Sequence, residues 1–209
     1  MDIILENIIP HPLIGVFSSQ TELWGKKVVL EGEKCIHISA PSGTGKSTLM
    51  GILYGTRKDF DGELKIHNKE VKDWSELRSK EIAIVFQDLE LLGDLTALEN
   101  VQLKNQLTAH LSDAEIHEMF KMLNMEELIN RKVFFLSRGE RQRVAIIRAL
   151  CMPFKLLLLD EPFSALDKNN VESAISLIKN VVSKNKAGII VANLSQDDYF
   201  EYDKKLILA

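Results

Sequence analysis

The chain of 209 residues has little of what would place it outside the cell or inside a bilayer. Its 2 cysteines, Cys35 and Cys151, sit among apolar neighbours; they are too few for a disulfide framework and fit two buried thiols in a reducing compartment. No apolar run approaches the ~20 residues that cross a bilayer, and the start, Met1-Asp2-Ile3-Ile4-Leu5-Glu6, lacks the basic region and apolar stretch of a secretory leader. The expectation is a cytoplasmic protein, with any membrane role carried by a partner. An excess of positive charge is also missing. With 26 Lys+Arg against 30 Asp+Glu, the net charge of -4 gives no overall basic field for nucleic acid. The 5 histidines, His11, His37, His67, His110 and His117, have no metal-ligand spacing and read as ordinary surface or strand residues.

What is present is 45% hydrophobic content, enough for a full core in one domain. Short apolar runs at 3–5, 28–30 and 35–38, with turn signals at Gly15, Gly25 and Gly32, read as a strand-rich opening. A helix follows over 48–54, stopped by Gly55, and strands over 64–67 and 82–86. Between 95 and 125 the period changes. Leu98, Val101, Leu103 and Leu107, then Ile116, Met119, Phe120 and Leu123, recur at helical spacing, and Ser112 with Glu115 is a capping-box pair. A helical subdomain over about 94–153 is therefore expected inside a strand-bearing core. Leu156-Leu157-Leu158-Leu159 suits a parallel strand covered on both faces, and a helix over 168–184 with strands over 188–192 and 205–208 completes an α/β alternation.

The loop Ala40-Pro41-Ser42-Gly43-Thr44-Gly45-Lys46-Ser47 joins an expected strand to an expected helix, and its spacing is that of the phosphate-binding P-loop, G-x-x-x-x-G-K-S/T, with Ala40 at the first glycine. Gly43 and Gly45 let successive amides turn inward, and the helix start adds its positive dipole end. Ser42, Gly43, Thr44, Gly45, Lys46, Ser47 and Thr48 are the candidate phosphate-binding residues. Lys46 reaches the β- and γ-phosphates in such a loop, and Ser47 supplies a hydroxyl to Mg²⁺. The expected fold is an α/β P-loop NTPase core with a mainly parallel sheet, an N-terminal antiparallel β subdomain and the inserted helical subdomain, one domain over 1–209. Asp160 and Glu161 follow the apolar run at 156–159, at a strand end where open α/β sheets bind ligands. Asp160 is placed to orient Mg²⁺, and Glu161 to polarise the water that attacks the γ-phosphate. Read singly, the loop is also a glycine-rich turn, and the acid pair also a charged strand end.

Leu136-Ser137-Arg138-Gly139-Glu140, ahead of an apolar helix, closely resembles the LSGGQ signature of ABC ATPases. The resemblance spans nearly the whole chain. Gln87 falls at that family's Q-loop glutamine, 156–160 at Walker B, Glu161 at the catalytic glutamate and Ser164-Ala165-Leu166-Asp167 at the D-loop. Alone, Gln87 is a solvated polar residue and Asp167 a helix cap; their order makes them a set. The resemblance implies ATP and Mg²⁺ as ligands, with Ser47, Gln87 and Asp160 around the metal and Ser137 and Gly139 contacting the γ-phosphate held by a second subunit. It further implies a dimer, expected to be a homodimer, and a transmembrane permease partner that brings the protein to the inner face of the membrane; no nucleic-acid partner is expected. The stretch Val85-Phe86-Gln87 with Asp94 to Val101 resembles the lipoprotein-release and macrolide-efflux branch.

Three positions depart from the family pattern. Ala40 replaces a loop glycine and is strained if its φ is positive. Arg138 replaces the signature's central glycine and brings a cation to the partner's nucleotide. Asn193 stands at the switch histidine, where it can hydrogen-bond phosphate or water but cannot carry charge. These predict an ATPase with slower turnover than a histidine-bearing member, and leave a second reading open, a nucleotide-dependent regulatory module with low turnover. The adenine-stacking aromatic is expected at Phe17, with Trp24 the other candidate.

Overall fold

The computed structural model describes residues 1–209. The chain runs through β1 (Ile3–Pro10), a 3-10 turn at His11–Leu13, β2 (Lys27–Leu30), β3 (Cys35–Ser39), α1 (Lys46–Tyr54), β4 (Phe60–Ile66) and β5 (Lys69–Glu70). Next come α2 (Trp74–Lys80), β6 (Ile82–Val85), α3 (Ala97–Asn105), α4 (Asp113–Met122) and α5 (Arg138–Leu150). The chain closes with β7 (Leu156–Asp160), α6 (Lys168–Asn185), β8 (Gly188–Asn193) and β9 (Lys204–Ile207).

The five-stranded sheet is parallel in the order β6-β7-β8-β3-β9, and the four-stranded sheet is antiparallel in the order β2-β1-β4-β5. The run at 156–159 is apolar throughout because both faces of its strand are covered. Leu157 and Leu159 pack with Ala83, Val85, Ile189 and Val191 into the core shared with α3 to α6. Leu156 and Leu158 turn the other way, with Ile36, Ile38 and Ile190, onto α1 and the antiparallel sheet's Ile3, Leu5 and Ile8. The parallel order also gathers the loops that follow β6, β7, β8 and β3 along one edge.

Capping boxes open three helices of this chain: Thr96 with Glu99, Ser112 with Glu115, and Ser137 with Glu140. The apolar spacing over 98–107 is only partly used. Val101 is buried, but Leu103 is 46% exposed, and Leu107 lies beyond the end of α3 and is 65% exposed. Buried asparagines hold that region instead. Asn100 accepts the Leu92 N–H at 2.8 Å and donates to the Leu92 and Thr96 carbonyls, while Asn105 bridges both backbone groups of Leu111. A buried amide that satisfies loop backbone does the work assigned to a leucine face, so the helix is shorter than its spacing predicts. The sequence reading also missed α2 and β5. It placed the β6 end one residue late, at Phe86.

Candidate functional site

β3 ends at Ser39, and the Ala40 N–H donates to the Asn193 carbonyl on the neighbouring strand at 3.0 Å. Gly43 and Gly45 have φ of 83° and 102°, with Gly45 as the N-cap of α1. A Cβ on Gly45 would lie 2.5 Å from Leu13 Cδ1 and 3.1 Å from Trp24 Cζ2, so glycine is needed there for both conformation and space. Ala40 is not among the residues with positive φ, which removes the strain considered for it. Ser42, Gly43, Gly45, Lys46, Ser47 and Thr48 line a cavity of about 230 Å³ together with Leu13, Gln87 and Glu161. Thr44 turns down: its carbonyl accepts the Trp24 indole N–H at 3.2 Å and its hydroxyl donates to the Pro41 carbonyl at 2.8 Å.

Trp24 is 1% exposed beneath the loop, so it is the floor of the cradle and cannot stack on a base, contrary to its standing as the second adenine candidate. Phe17 is half-buried against the same core and lies outside the cavity lining. Leu13 was not picked out from the sequence, since a lone apolar residue in a loop carries no motif.

The strand ends bring the polar residues together. Ser47 Oγ lies 2.7 Å from Asp160 Oδ2 and 3.2 Å from Gln87 Oε1, and donates its one proton to either. Gln87 Nε2 donates to Glu161 Oε2 at 3.4 Å. Lys46 Nζ donates to the Ala40 carbonyl at 3.0 Å and pairs with Glu161 Oε1 at 3.3 Å. Asp160 is buried, which pushes its carboxyl above the ordinary range, and its Oδ1 has no hydrogen-bond partner. An orphaned buried carboxylate oxygen beside a hydroxyl and an amide oxygen is a hard-oxygen donor set that fits Mg²⁺.

Glu161 is held from behind. Its φ is 47°, its N–H donates to the Ala192 carbonyl at 2.9 Å, and its carbonyl accepts from Gln142 Nε2 at 3.0 Å. Gln142 Oε1 in turn accepts the Ala165 N–H at 2.9 Å, so one buried amide on α5 fixes both the Glu161 backbone and the stretch 164–167. Sequence reasoning missed Gln142; its one signal is a polar residue on the apolar face of α5. Asp167 caps α6 by accepting the Asn170 N–H at 2.9 Å.

Ser137, Arg138 and Gly139 open α5 away from this cavity and line none of it. The Ser137 hydroxyl accepts the Glu140 N–H, and a Cβ on Gly139 would meet the Ala165 carbonyl at 2.8 Å. Arg138 is exposed. Asn193, at the end of β8, lines a second cavity of about 180 Å³ with Glu161, Ser164 and Asp197. Beside that cavity lies His37, a strand residue of β3 as expected: it is fully buried and its Nε2 lies 3.0 Å from Asp197 Oδ2. Burial pushes both thiols up to about 12, so Cys35 and Cys151 stay protonated.

Residues 26–164 match the family model described as ABC transporter. The lipoprotein-releasing system ATP-binding protein LolD of Treponema denticola is 41% identical over 176 residues, covering 80% of this chain and 77% of that protein. The dimeric bacterial ABC transporter cassette MJ0796 superposes with a TM-score of 0.78 at 30% identity, over 92% of this chain and 88% of that one. Its post-hydrolysis dimer bound to ADP and Pi superposes with a TM-score of 0.77 at 30% identity, over 93% and 88% of the two chains.

Proposed function

The chain belongs to the ABC transporter family as an ATP-binding and ATP-hydrolysing subunit that acts as a dimer with a transmembrane permease, and on that premise we propose how its residues divide the work. The loop amides from Gly43 to Ser47, Ser42, Thr48 and the N-terminus of α1 take the β- and γ-phosphates. Lys46 neutralises the γ-phosphate. In the chain as described Lys46 is paired with Glu161, so an arriving phosphate competes for the ammonium and frees the Glu161 carboxylate to act on water. Ser47, Gln87 and Asp160 are the residues we assign to Mg²⁺, which would neutralise negative charge on the β- and γ-phosphates. Asn193 lines the second cavity with Glu161 and offers the water or the phosphate an uncharged hydrogen bond. Phe17 is the aromatic we assign to adenine.

The observation that carries this reading is the hydrogen-bonded set Lys46, Ser47, Gln87, Asp160 and Glu161, assembled from the ends of β6 and β7 and the loop that joins β3 to α1. Ser137 and Gly139 lie outside the cavity of their own chain, which supports their assignment to the nucleotide of a second copy. The whole chain, 1–209, is proposed to work as one ABC ATPase domain, with the helical subdomain at about 94–153. No helix is long and apolar enough to cross a membrane, and we place the protein on the cytoplasmic face through its permease. The similarity to a lipoprotein-releasing ATPase favours coupling to a lipoprotein-releasing type of membrane partner.

Glu161→Gln tests the assignment. Loss of the base is expected to lower steady-state phosphate release by about 10²-fold or more while ATP still binds. Hydrolysis at the parental rate would remove Glu161 from its role.

A further inference from the structure

Beside Asn193 lies a polar cluster, part-buried around the fully buried His37, that the catalytic assignment does not use. Asp197 Oδ2 accepts from His37 Nε2 at 3.0 Å and from Asn193 Nδ2. Asp197 Oδ1 accepts from the Tyr202 hydroxyl at 2.5 Å and from the Tyr199 N–H at 3.1 Å. These donors come from β3, from the end of β8 and from the segment leading to β9, so the carboxylate ties three chain segments at the edge of the sheet. Burial alone would raise the Asp197 acid, yet the donors His37, Tyr202, Asn193 and Tyr199 N–H bring it down to about 2, so it is an ionised acceptor at neutral pH. Burial and the adjacent carboxylate push the Tyr202 phenol up, which keeps it a donor.

Two features mark the cluster as more than packing. His37 is fully buried, and because its Nε2 donates to Asp197, its Nδ1 is left as a buried atom with no partner. An unsatisfied buried group is destabilising, a cost that an aliphatic residue at this strand position would avoid. The second feature is the end of Asn193 that is tied down. A carboxylate only accepts hydrogen bonds, so the amide nitrogen must face Asp197 and the carbonyl oxygen must face away from it. Asn193 and Glu161 line the same cavity, and Glu161 also lines the phosphate cradle.

We propose that Asp197, held by His37 and Tyr202, is a positioning residue for hydrolysis: it fixes the Asn193 amide so that the carbonyl oxygen is presented toward Glu161 as an acceptor for the attacking water. Asn193 is then an orienting acceptor beside the base. No proton is moved by Asp197 or His37; their part is to set one amide rotamer. The inference rests on the catalytic assignment of Asn193 made above.

The test is a double-mutant cycle on the full chain with Mg·ATP, reading kcat and KM from phosphate release. Asp197→Asn is expected to lower kcat about 10- to 100-fold with KM for ATP unchanged, the size of effect that a misplaced orienting group produces. In an Asn193→Ala background the same change is expected to have no further effect. His37→Gln, which keeps an N–H donor, should retain most of kcat, and His37→Leu should not. An equal fall in kcat in both backgrounds, or a rise in KM alone, would overturn the inference, because a merely structural residue gives that result. If Asn193→Ala slows hydrolysis and Asp197→Asn does not, the inference fails and the role of Asn193 stands. If Asn193→Ala changes nothing, the role of Asn193 fails first and the inference falls with it. Should Asp197→Asn not fold, Tyr202→Phe, which removes one donor to Asp197, takes its place in the same cycle with the same two outcomes.

Discussion

Gly43 and Gly45 both hold positive φ, but their surroundings differ: nothing lies within 4 Å of a Cβ at Gly43, whereas one at Gly45 would run into Leu13 and Trp24. Gly43→Ala is therefore expected to cost about 1–2 kcal/mol, the ordinary cost of a left-handed residue. Gly45→Ala should cost more, since the clash adds to the strain. Chemical denaturation of the two variants checks the order. Ala40, with ordinary φ, behaves oppositely. Ala40→Gly should lose about 0.4–1 kcal/mol through the unfolded chain and leave ATP affinity unchanged. At this scale the sequence reads well where a motif is contiguous. The roles proposed for Gly43, Gly45, Lys46 and Ser47 follow from neighbours in sequence, while the tolerance of Ala40 needed its φ.

At the scale of elements, the strand ends are locked to one another by side chains that no motif contains. Gln142 on α5 joins the Glu161 carbonyl after β7 to the Ala165 N–H. Gln142→Leu leaves both groups without their partner, at about 1–3 kcal/mol for each buried group. The expected result is a lower unfolding midpoint and slower phosphate release with ATP binding retained. The Asp197 cluster makes a prediction in pH. Its acid is held at about 2 against an ordinary 3.8, so the stabilisation it gives is full above about pH 4 and is lost as the pH falls through about 2. Stability measured between these limits should fall less steeply with acid in Asp197→Asn than in the parent. Neither lock was legible beforehand. Asp197 and His37 stand 160 positions apart and meet because β8 pairs with β3, and strand order is not written in local periodicity. The helix spacing over 98–107 misled for a related reason: loop backbone needed Asn100 and Asn105 more than the core needed Leu103 and Leu107.

Across the whole molecule, the architecture was legible because its elements alternate in composition: apolar parallel strands, capped helices and a strand-rich opening. The sheet delivers Gln87, Asp160, Glu161, Asn193 and the phosphate loop to one edge from four adjacent strands, β6, β7, β8 and β3. In the proposed function that edge is half of a site. Ser137 and Gly139, the residues assigned to the γ-phosphate from the other side, line no part of the cavity of their own chain, and the related cassette MJ0796 is a dimer. The central claim is therefore that one copy's loop at 40–47 works with another copy's Ser137 and Gly139. Two variants test it together. Lys46→Ala disables the loop and leaves the signature intact. Ser137→Asp keeps the helix cap and sets a negative charge against the phosphate. The measurement is single-turnover ATP hydrolysis by each variant alone and by an equimolar mixture. Both are expected to be inactive alone and the mixture to regain hydrolysis, since a mixed dimer contains one intact loop facing one intact signature. A mixture as inactive as its components would contradict a site shared between copies.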